Sequence, residues 1–161
     1  MAFEGYMSFK GKTQGQFKGT VPRKQGGHPS VQGSISIYGF KYVTGAPIDS
    51  VNGASTGRRR HSPVVVTREV DSSSPTLLQA SLTRAPFDSV EIVFPRPNSG
   101  KGPVLHNKIE LTNGSISHIS FAPSRNGKRR EAVTLEFEAI KINGAPGTPN
   151  NPQSLWWRDT W

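Results

Sequence analysis

The chain has 161 residues, enough for one domain with one hydrophobic core, and its 17 glycines and 13 prolines favour a turn-rich β protein over a helical bundle. The absence of cysteine excludes disulfides and thiolate metal sites, and no stretch approaches the roughly 18 apolar residues of a membrane span, so no membrane insertion is expected. Twenty basic against eleven acidic residues give a formal charge of +9, which makes nucleic acid, an anionic membrane or an acidic protein a candidate partner.

The first part of the chain predicts short strands separated by turns, and it begins without the basic start and apolar run of a signal peptide. Residues 6–9 alternate in a first short strand, and Gly11 to Gly19 form a polar hairpin or loop. Val31 to Val43 is predicted as the first long strand. Its apolar phase changes at Tyr38–Gly39, where a bulge or sharp bend is expected. Thr44 to Gly57 is long, small and polar, and a loop of this length in a compact domain is usually functional or disordered.

Residues 58–82, RRRHSPVVVTREVDSSSPTLLQASL, combine a basic loop, a strand, a turn and a helix. The three consecutive valines, Val64 to Val66, are typical of a strand that is covered on both faces. Asp71 followed by serines predicts an Asx-type turn. Ser74 is expected to accept a backbone N–H at the helix start, and Pro75 suits the first helical position because its missing N–H would be unpaired there. The helix should have about ten residues. Its predicted apolar face consists of Leu77, Leu78 and Leu82.

The second part of the chain predicts longer strands. Phe87 to Phe94 and Glu131 to Ile142 alternate between apolar and polar residues, and in the latter one face is buried while the other is wet or lies at an interface. Val104 to Phe121 holds two strand-like runs whose apolar phase slips at Asn113–Gly114. That dipeptide alone indicates a hairpin turn, and a kink within one long strand is the alternative. The aromatic C-terminus, LWWRDTW, would be costly to expose, so it should dock on its own domain or on a neighbour.

This order of strands, one helix and further strands predicts a mainly β fold. We expect a two-sheet antiparallel β-barrel or sandwich flanked by one short α-helix, as a single domain over residues 1–161.

No catalytic, metal-binding or cofactor-binding residue is predicted. The sequence lacks phosphate-loop and nucleophile-elbow patterns. His106 and His118 could meet across a hairpin, but two ligands without a third make a poor zinc site. Ser72 to Ser74 suit a turn and a helix cap better than a nucleophile. His61 could titrate near neutral pH, although a lone histidine at a strand entrance more often packs and hydrogen-bonds.

The alternative function is a basic β-barrel that binds nucleic acid. Arg58 to Arg60 are the best phosphate-binding candidates, and Tyr38, Phe40 and Tyr42 could supply a stacking platform. Aromatic residues on strands usually fill cores, however, and the sequence contains no recognition helix or RNA-binding signature, so nucleic acid is the less favoured partner.

Residues 57–82 resemble the haemolysin-coregulated protein (Hcp) family, the tube subunit of type VI secretion systems. The positions that match the family pattern are Arg60, His61, Pro63, Glu69, Asp71, Ser72, Ser74, Pro75 and Leu77. The similarity extends to Gly33-Ser34-Ile35, Lys108 to Leu111 and Val133 to Phe137, and it ends in Asp159-Thr160-Trp161, so it covers nearly the whole chain.

The resemblance implies a structural protein without enzymatic activity or cofactor. Members form a β-barrel of two sheets flanked by one helix, assemble as a homo-hexameric ring and stack into a tube. A contractile sheath drives the tube outward, a spike protein tips it, and effector proteins are sheltered in the lumen. The protein would therefore be cytoplasmic during assembly and afterwards secreted without a signal peptide.

The resemblance also assigns roles to particular residues. The loop from Val43 to Gly57 would contact the neighbouring ring, and Val104 to Phe121 would be one long kinked strand instead of a hairpin. The predicted ring-stacking residues are Pro47, Ile48, Asp49, Ser50, Val51 and Asn52. The candidates for the interface between subunits are Glu136, Glu138, Trp157 and Trp161.

Overall fold

The computed structural model of the protein describes residues 5–13, 15–17, 34–57, 60–96, 104–122, 126–143 and 154–158. Within these ranges the chain forms eleven strands and one helix. The elements are β1 (Gly5–Gly11), β2 (Gly15–Gln16), β3 (Ile35–Ile37), β4 (Gly39–Lys41), β5 (Thr44–Gly45), β6 (Arg60–His61), β7 (Val64–Glu69), α1 (Ser74–Leu82), β8 (Pro86–Arg96), β9 (Val104–Ala122), β10 (Arg130–Asn143) and β11 (Ser154–Arg158).

One antiparallel sheet closes on itself to form the barrel. Its strands follow the order β2-β1-β8-β9-β10-β7-β4, β11 pairs with β10, and β3 pairs with β1. Because only Tyr38 separates β3 from β4, the chain crosses there from β1 to β7 and joins the two ends of the sheet. The fold class predicted from the sequence is confirmed.

The crossing at Tyr38 also confirms the predicted bend. The Tyr38 N–H donates to the Thr67 carbonyl oxygen at 2.8 Å. A Cβ on Gly39 would lie 3.2 Å from the Thr67 side chain, so a larger residue at the bend would have to displace that side chain. The prediction of one continuous strand from Val31 to Val43 is wrong, because the bend divides it into β3 and β4, and residues 31–33 lie outside the described ranges.

The core lies inside the barrel and is filled by the inward-facing residues of its strands. Phe9 stacks on Phe17 with ring centroids 4.6 Å apart and meets Phe87 edge to face at 5.2 Å. Each fully buried Leu, Ile or Phe side chain contributes roughly 1.5–3 kcal/mol to folding. The other fully buried apolar residues include Met7, Ile35, Ile37, Val64, Val66, Leu77, Val90, Ile92, Leu111, Val133 and Leu135.

Helix α1 packs against β9 through a face that differs from the predicted one. Its buried residues are Ser74, Leu77 and Ala80, which follow one another at intervals of three. Leu82 is 77% exposed, so its assignment to the apolar face is wrong. At about 100° per residue, Leu82 lies roughly 140° around the helix from Leu77 and therefore points away from the sheet.

A crease crosses three neighbouring strands at the level of Asn113. In each of these strands, the inward-facing side chains lie at odd-numbered positions on one side of the crease and at even-numbered positions on the other. The change occurs beside Asp88 in β8, Asn113 in β9 and Glu138 in β10. Asn113 has a φ of +49° and donates from Nδ2 to Glu138 Oε2 at 3.1 Å. A Cβ on Gly114 would lie 1.8 Å from the Glu136 carbonyl oxygen. The phase slip therefore marks a kink in the 19-residue strand β9, and the hairpin alternative is wrong.

A bulge restores the original phase further along β9. Thr134 pairs with His118 while Leu135 pairs with Ile116, so Ser117 is the extra residue. Since β9 is one strand, His106 and His118 lie twelve positions apart along it and cannot meet across a hairpin.

The described ranges contain no helix with the length and apolar character needed to cross a membrane.

Candidate functional site

A projecting arm, formed by residues 43–57 and the returning residues 60–62, is built separately from the barrel. Its base is the two-stranded sheet of β5 and β6, in which Thr44 pairs with His61. Two hydrogen bonds close the base, one from the Ser62 N–H to the Val43 carbonyl oxygen at 2.8 Å and one from the Val43 N–H to Ser62 Oγ at 2.9 Å. The arm therefore has backbone pairing of its own, separate from the sheet of the barrel.

The tip of the arm is ordered by its own polar side chains. Asp49 Oδ1 accepts the Val51 N–H at 2.9 Å, and the Asp49 carbonyl oxygen accepts the Gly53 N–H at 2.9 Å. Asn52 Oδ1 accepts the Ala54 N–H at 2.9 Å. Gly53 has a φ of +70°, which favours glycine. A loop of this length was expected to be either functional or disordered, and its internal hydrogen bonds show that it is ordered.

The same tip presents large apolar side chains to solvent. Ile48 is 69% exposed and Val51 is 91% exposed. Asp49 is the only charged residue between positions 43 and 57. The arm brings together all the predicted ring-stacking residues, namely Pro47, Ile48, Asp49, Ser50, Val51 and Asn52. Their contact with another ring remains a prediction.

An aromatic pair anchors the arm to the barrel. The rings of Tyr42 and His61 are stacked with centroids 6.0 Å apart, and the Tyr42 hydroxyl is hydrogen-bonded to His61 Nδ1. Tyr42 also contacts Phe137 of β10 with centroids 6.2 Å apart. The interpretation of His61 as a packed, hydrogen-bonded histidine is confirmed.

The proposed nucleic-acid platform is not presented as a free surface. Besides Tyr42, Phe40 packs edge to face on Phe94 at 5.6 Å, and the Tyr38 hydroxyl donates to Glu69 Oε2 at 2.9 Å. All three aromatic residues are half-buried. Arg58 and Arg59 lie outside the described ranges. The aromatic part of the nucleic-acid hypothesis therefore loses its support.

The corner between β7 and α1 contains a buried ion cluster that the sequence reasoning missed. Arg68 is 0% exposed, and its Nη1 donates to Ser73 Oγ at 2.7 Å. Its Nη2 is hydrogen-bonded to Asp71 Oδ1, and its Nε lies 3.2 Å from Glu131 Oε1. Asp71 Oδ1 also accepts the Ser73 N–H at 2.8 Å, which confirms the predicted Asx turn.

Glu131 joins the two sides of this corner. Its Oε1 accepts the Ser74 hydroxyl at 3.0 Å, and its Oε2 is buried without a hydrogen-bond partner among the described residues. The Ser74 hydroxyl in turn accepts the Asp71 N–H at 3.0 Å. Ser73 is the N-cap residue of α1, so the prediction that Ser74 caps the helix is wrong: its hydroxyl joins β10 to the turn instead.

The period of β7 could have identified this cluster. Val64, Val66 and Arg68 occupy alternate positions, and the burial pattern places all three inside. A strand with period two therefore puts a charge in the core, and a buried charge requires partners. Two of the residues that match the family pattern, Asp71 and Ser74, supply or position those partners. Of the other matching residues, Pro75 lies in the first turn of α1 and Ser72 is exposed. Pro63 precedes β7 and is exposed, and Arg60 lies in β6.

The outer face of the barrel carries a second charged group, which is partly exposed. Glu91 and Glu110 are directly opposite in β8 and β9, and Lys108 Nζ bridges them at 3.1 Å and 2.9 Å. Burial opposes the charged amine, but the hydrogen bonds to Glu110 and Glu91 outweigh it and raise the pKa of Lys108 above its ordinary value of 10.5. The group offsets two facing carboxylates that would otherwise repel.

Three of the four interface candidates lie on β10 or on β11 beside it. Glu136 is exposed, and Glu138 accepts the hydrogen bond from Asn113. The backbone of Trp157 belongs to β11 and pairs with Ile140. Trp161 lies outside the described ranges. Their role as an interface remains a prediction.

Among the described residues, no three His, Asp or Glu side chains are close enough together to hold a metal ion.

Comparisons with known proteins identify the family. Residues 6–143 match the family model described as type VI secretion system effector, Hcp. A relative named major exported protein, from Pseudomonas aeruginosa strain PAO1, is 33% identical over 103 residues. That match covers 62% of this chain and 60% of the relative.

Solved structures with the same fold cover nearly the whole chain. A structure titled as a crystal structure of Hcp protein has a TM-score of 0.84 at 18% identity and covers 98% of this chain and 99% of its own. A mutant form of the Hcp1 protein from the E. coli EAEC 042 pathovar has a TM-score of 0.81 at 25% identity, with 99% of each chain covered. Since the family model matches most of the sequence, the chain belongs to the Hcp family of type VI secretion system proteins.

Proposed function

We propose that this protein is a structural subunit of the type VI secretion tube, which assembles as hexameric rings that stack and are exported. The observation that carries this proposal is the arm, which is ordered by its own hydrogen bonds and holds Ile48 and Val51 in solvent. The subunit acts by assembly, so no catalytic step or cofactor is proposed. Its partners are other copies of itself, the sheath, the spike and effector proteins carried in the lumen.

The physical properties of the arm suit a contact between rings. A separately paired hairpin can extend beyond the barrel without disturbing the core, and its fixed tip loses little conformational entropy when it binds. Two large exposed apolar side chains three positions apart, Ile48 and Val51, make a patch whose burial favours association. The printed name of the Pseudomonas aeruginosa relative supports export.

The first test is the mass in solution. Six copies of the 17.5 kDa chain weigh about 105 kDa. Light scattering after gel filtration should give this mass, and negative-stain microscopy should show rings. A monomer of 17.5 kDa that persists at high protein concentration would contradict the proposal.

The second test concerns the arm. The double variant Ile48→Ser, Val51→Ser should still form rings but should lose stacks of rings, because the changes are confined to the exposed tip. The matched control is Leu82→Ser, which removes an equally exposed apolar side chain from α1 and should leave stacking unchanged. Equal stacking by the double variant and the wild-type protein would show that the arm does not join rings.

A further inference from the structure

The end of β9, the start of β10 and the turn that precedes β10 form a basic tip, defined here as residues 121, 122 and 126–130. It contains three basic residues, Lys128, Arg129 and Arg130, and no acidic one. Asn126 and Gly127 have φ values of +68° and +75°, which are typical of the two central residues of a type I′ turn. Lys128 and Arg129 are exposed. The tip therefore concentrates positive charge at one end of the barrel.

An aromatic side chain lies at the base of this tip without being covered. Phe121 occupies the inward-facing phase of β9, because Ile119 packs against the core and the opposing Glu131 is buried. Phe121 itself is 57% exposed. The strand has passed the end of the core at this point, so an inward-facing ring is left at the mouth of the barrel.

The basic tip and the arm lie at opposite ends of β7. The arm joins the barrel immediately before Val64, whereas the Val70 N–H donates to the Arg129 carbonyl oxygen at 3.0 Å just after the other end of β7. The six residues of β7 span roughly 17 Å at 3.3–3.4 Å per residue. Stacking of identical rings in one direction needs two different, complementary surfaces at opposite ends of the subunit.

We propose that the basic tip, with Phe121, receives the arm of a second copy of this chain in the adjacent ring. This inference rests on the proposed tube function and identifies the receiving surface. The arm supplies Val51 and Ile48 together with one negative charge, Asp49, and the tip supplies an uncovered aromatic ring and positive charge. Apolar and electrostatic complementarity therefore coincide.

Arg129 is the residue of the tip best suited to meet Asp49. Lys128 Nζ lies 3.7 Å from Glu69 Oε2, and Arg130 is directly opposite Glu69 in the ladder. Both therefore face an acidic group of their own chain. Arg129 is exposed, and its backbone is held by the hydrogen bond from Val70.

A charge exchange tests this pairing. Asp49→Lys and Arg129→Glu should each reduce stacking, and the two changes together should restore it, which a loss of folding would not do. If each of six contacts weakens twofold, the ring–ring association constant falls about 60-fold, because independent contacts multiply. Unchanged stacking by Arg129→Glu alone would overturn the assignment of Arg129, because this variant keeps the hydrogen bond from the Val51 N–H to Asp49 that orders the arm.

Disulfide trapping tests the position directly, and the absence of native cysteine gives a clean background. Val51→Cys and Phe121→Cys proteins are mixed, assembled and oxidised. The expected product is a linked pair of about 35 kDa, twice the chain mass of 17.5 kDa, that is absent from either variant alone. The two positions lie at opposite ends of β7, too far apart for a bond within one chain.

The outcomes separate the two proposals. If wild-type protein forms no rings or stacks, the proposed function fails. If stacks form and the arm variants lose them, but no 51–121 product appears and the charge exchange does not restore stacking, then the arm docks elsewhere and only this inference fails.

Discussion

Replacement of Arg68 by methionine should destabilise the protein strongly. The guanidinium is fully buried and contacts Ser73, Asp71 and Glu131. Methionine preserves much of the side-chain length while removing the charge and every hydrogen bond. The change leaves Glu131, which is also buried, without its cation.

The expected loss can be worked out from these contacts. Removal of one partner of a buried ion pair costs about 3–5 kcal/mol, because the remaining charge is left uncompensated. Asp71 is partly solvated, with 20% of its side chain exposed, so Glu131 accounts for most of the cost. Since domains have a free energy of unfolding of about 5–15 kcal/mol, such a loss would be a large part of the total.

The measurement is urea unfolding at one fixed protein concentration, because assembly also contributes to stability. The double variant Arg68→Met, Glu131→Leu should recover at least about 2 kcal/mol of the loss, since apolar substitutes for a buried pair are often neutral. A loss below about 1 kcal/mol for Arg68→Met, or a double variant less stable than the single one, would refute this account of the corner.

Three other substitutions test the crease and the outer face. Gly114→Ala should lower the free energy of unfolding by about 3 kcal/mol or more, since its Cβ would overlap the Glu136 carbonyl oxygen. Asn113→Val should cost about 1–2 kcal/mol in the same urea assay, because a β-branched residue resists a positive φ. Lys108→Met should cost less than about 1 kcal/mol, as its ion pairs are partly exposed. Burial opposes the charged amine, but hydrogen bonds outweigh it and raise the pKa of Lys108. The contribution of Lys108 to the free energy of unfolding should therefore be complete below pH 10.5 and disappear as the pH rises through the folded-state pKa. An equal loss for Lys108→Met at neutral pH and well above that pKa would contradict this assignment.

Local pattern was sufficient to predict much of the barrel. The alternation of Val133 and Leu135 with polar residues identified β10, and the phase change at Tyr38 identified the bend that closes the sheet. The phase slip at Asn113 was visible, but the choice between a hairpin and a kink depended on strands distant in the sequence. Backbone atoms of β10 exclude a side chain at position 114, and no local pattern contains that information.

The features that the sequence did not predict depend on contacts between distant residues. Arg68 and Glu131 are 63 positions apart and become partners only when β7 pairs with β10. The order of the arm was also missed, because its stability comes from Asp49 and Asn52 bonding to the backbone and leaves no apolar period. The buried face of α1 was set by the sheet beneath it, so Leu82 was assigned to the wrong side.

The charge of the chain explains why the proposed stack would have one direction. The proposed ring of six copies, each of charge +9, would carry a charge of +54, but at physiological ionic strength the Debye length of about 8 Å would screen most of the repulsion between rings. In the proposed docking, the surfaces in contact would then decide whether rings associate, and apolar burial of Val51 against Phe121 would supply most of the attraction. A reversed ring would bring basic tip against basic tip, with Arg129 facing like charge. A single ion pair between Asp49 and Arg129 would therefore add little affinity, yet it would select head-to-tail stacking, because electrostatic complementarity suppresses the wrong orientation more than it strengthens the correct one.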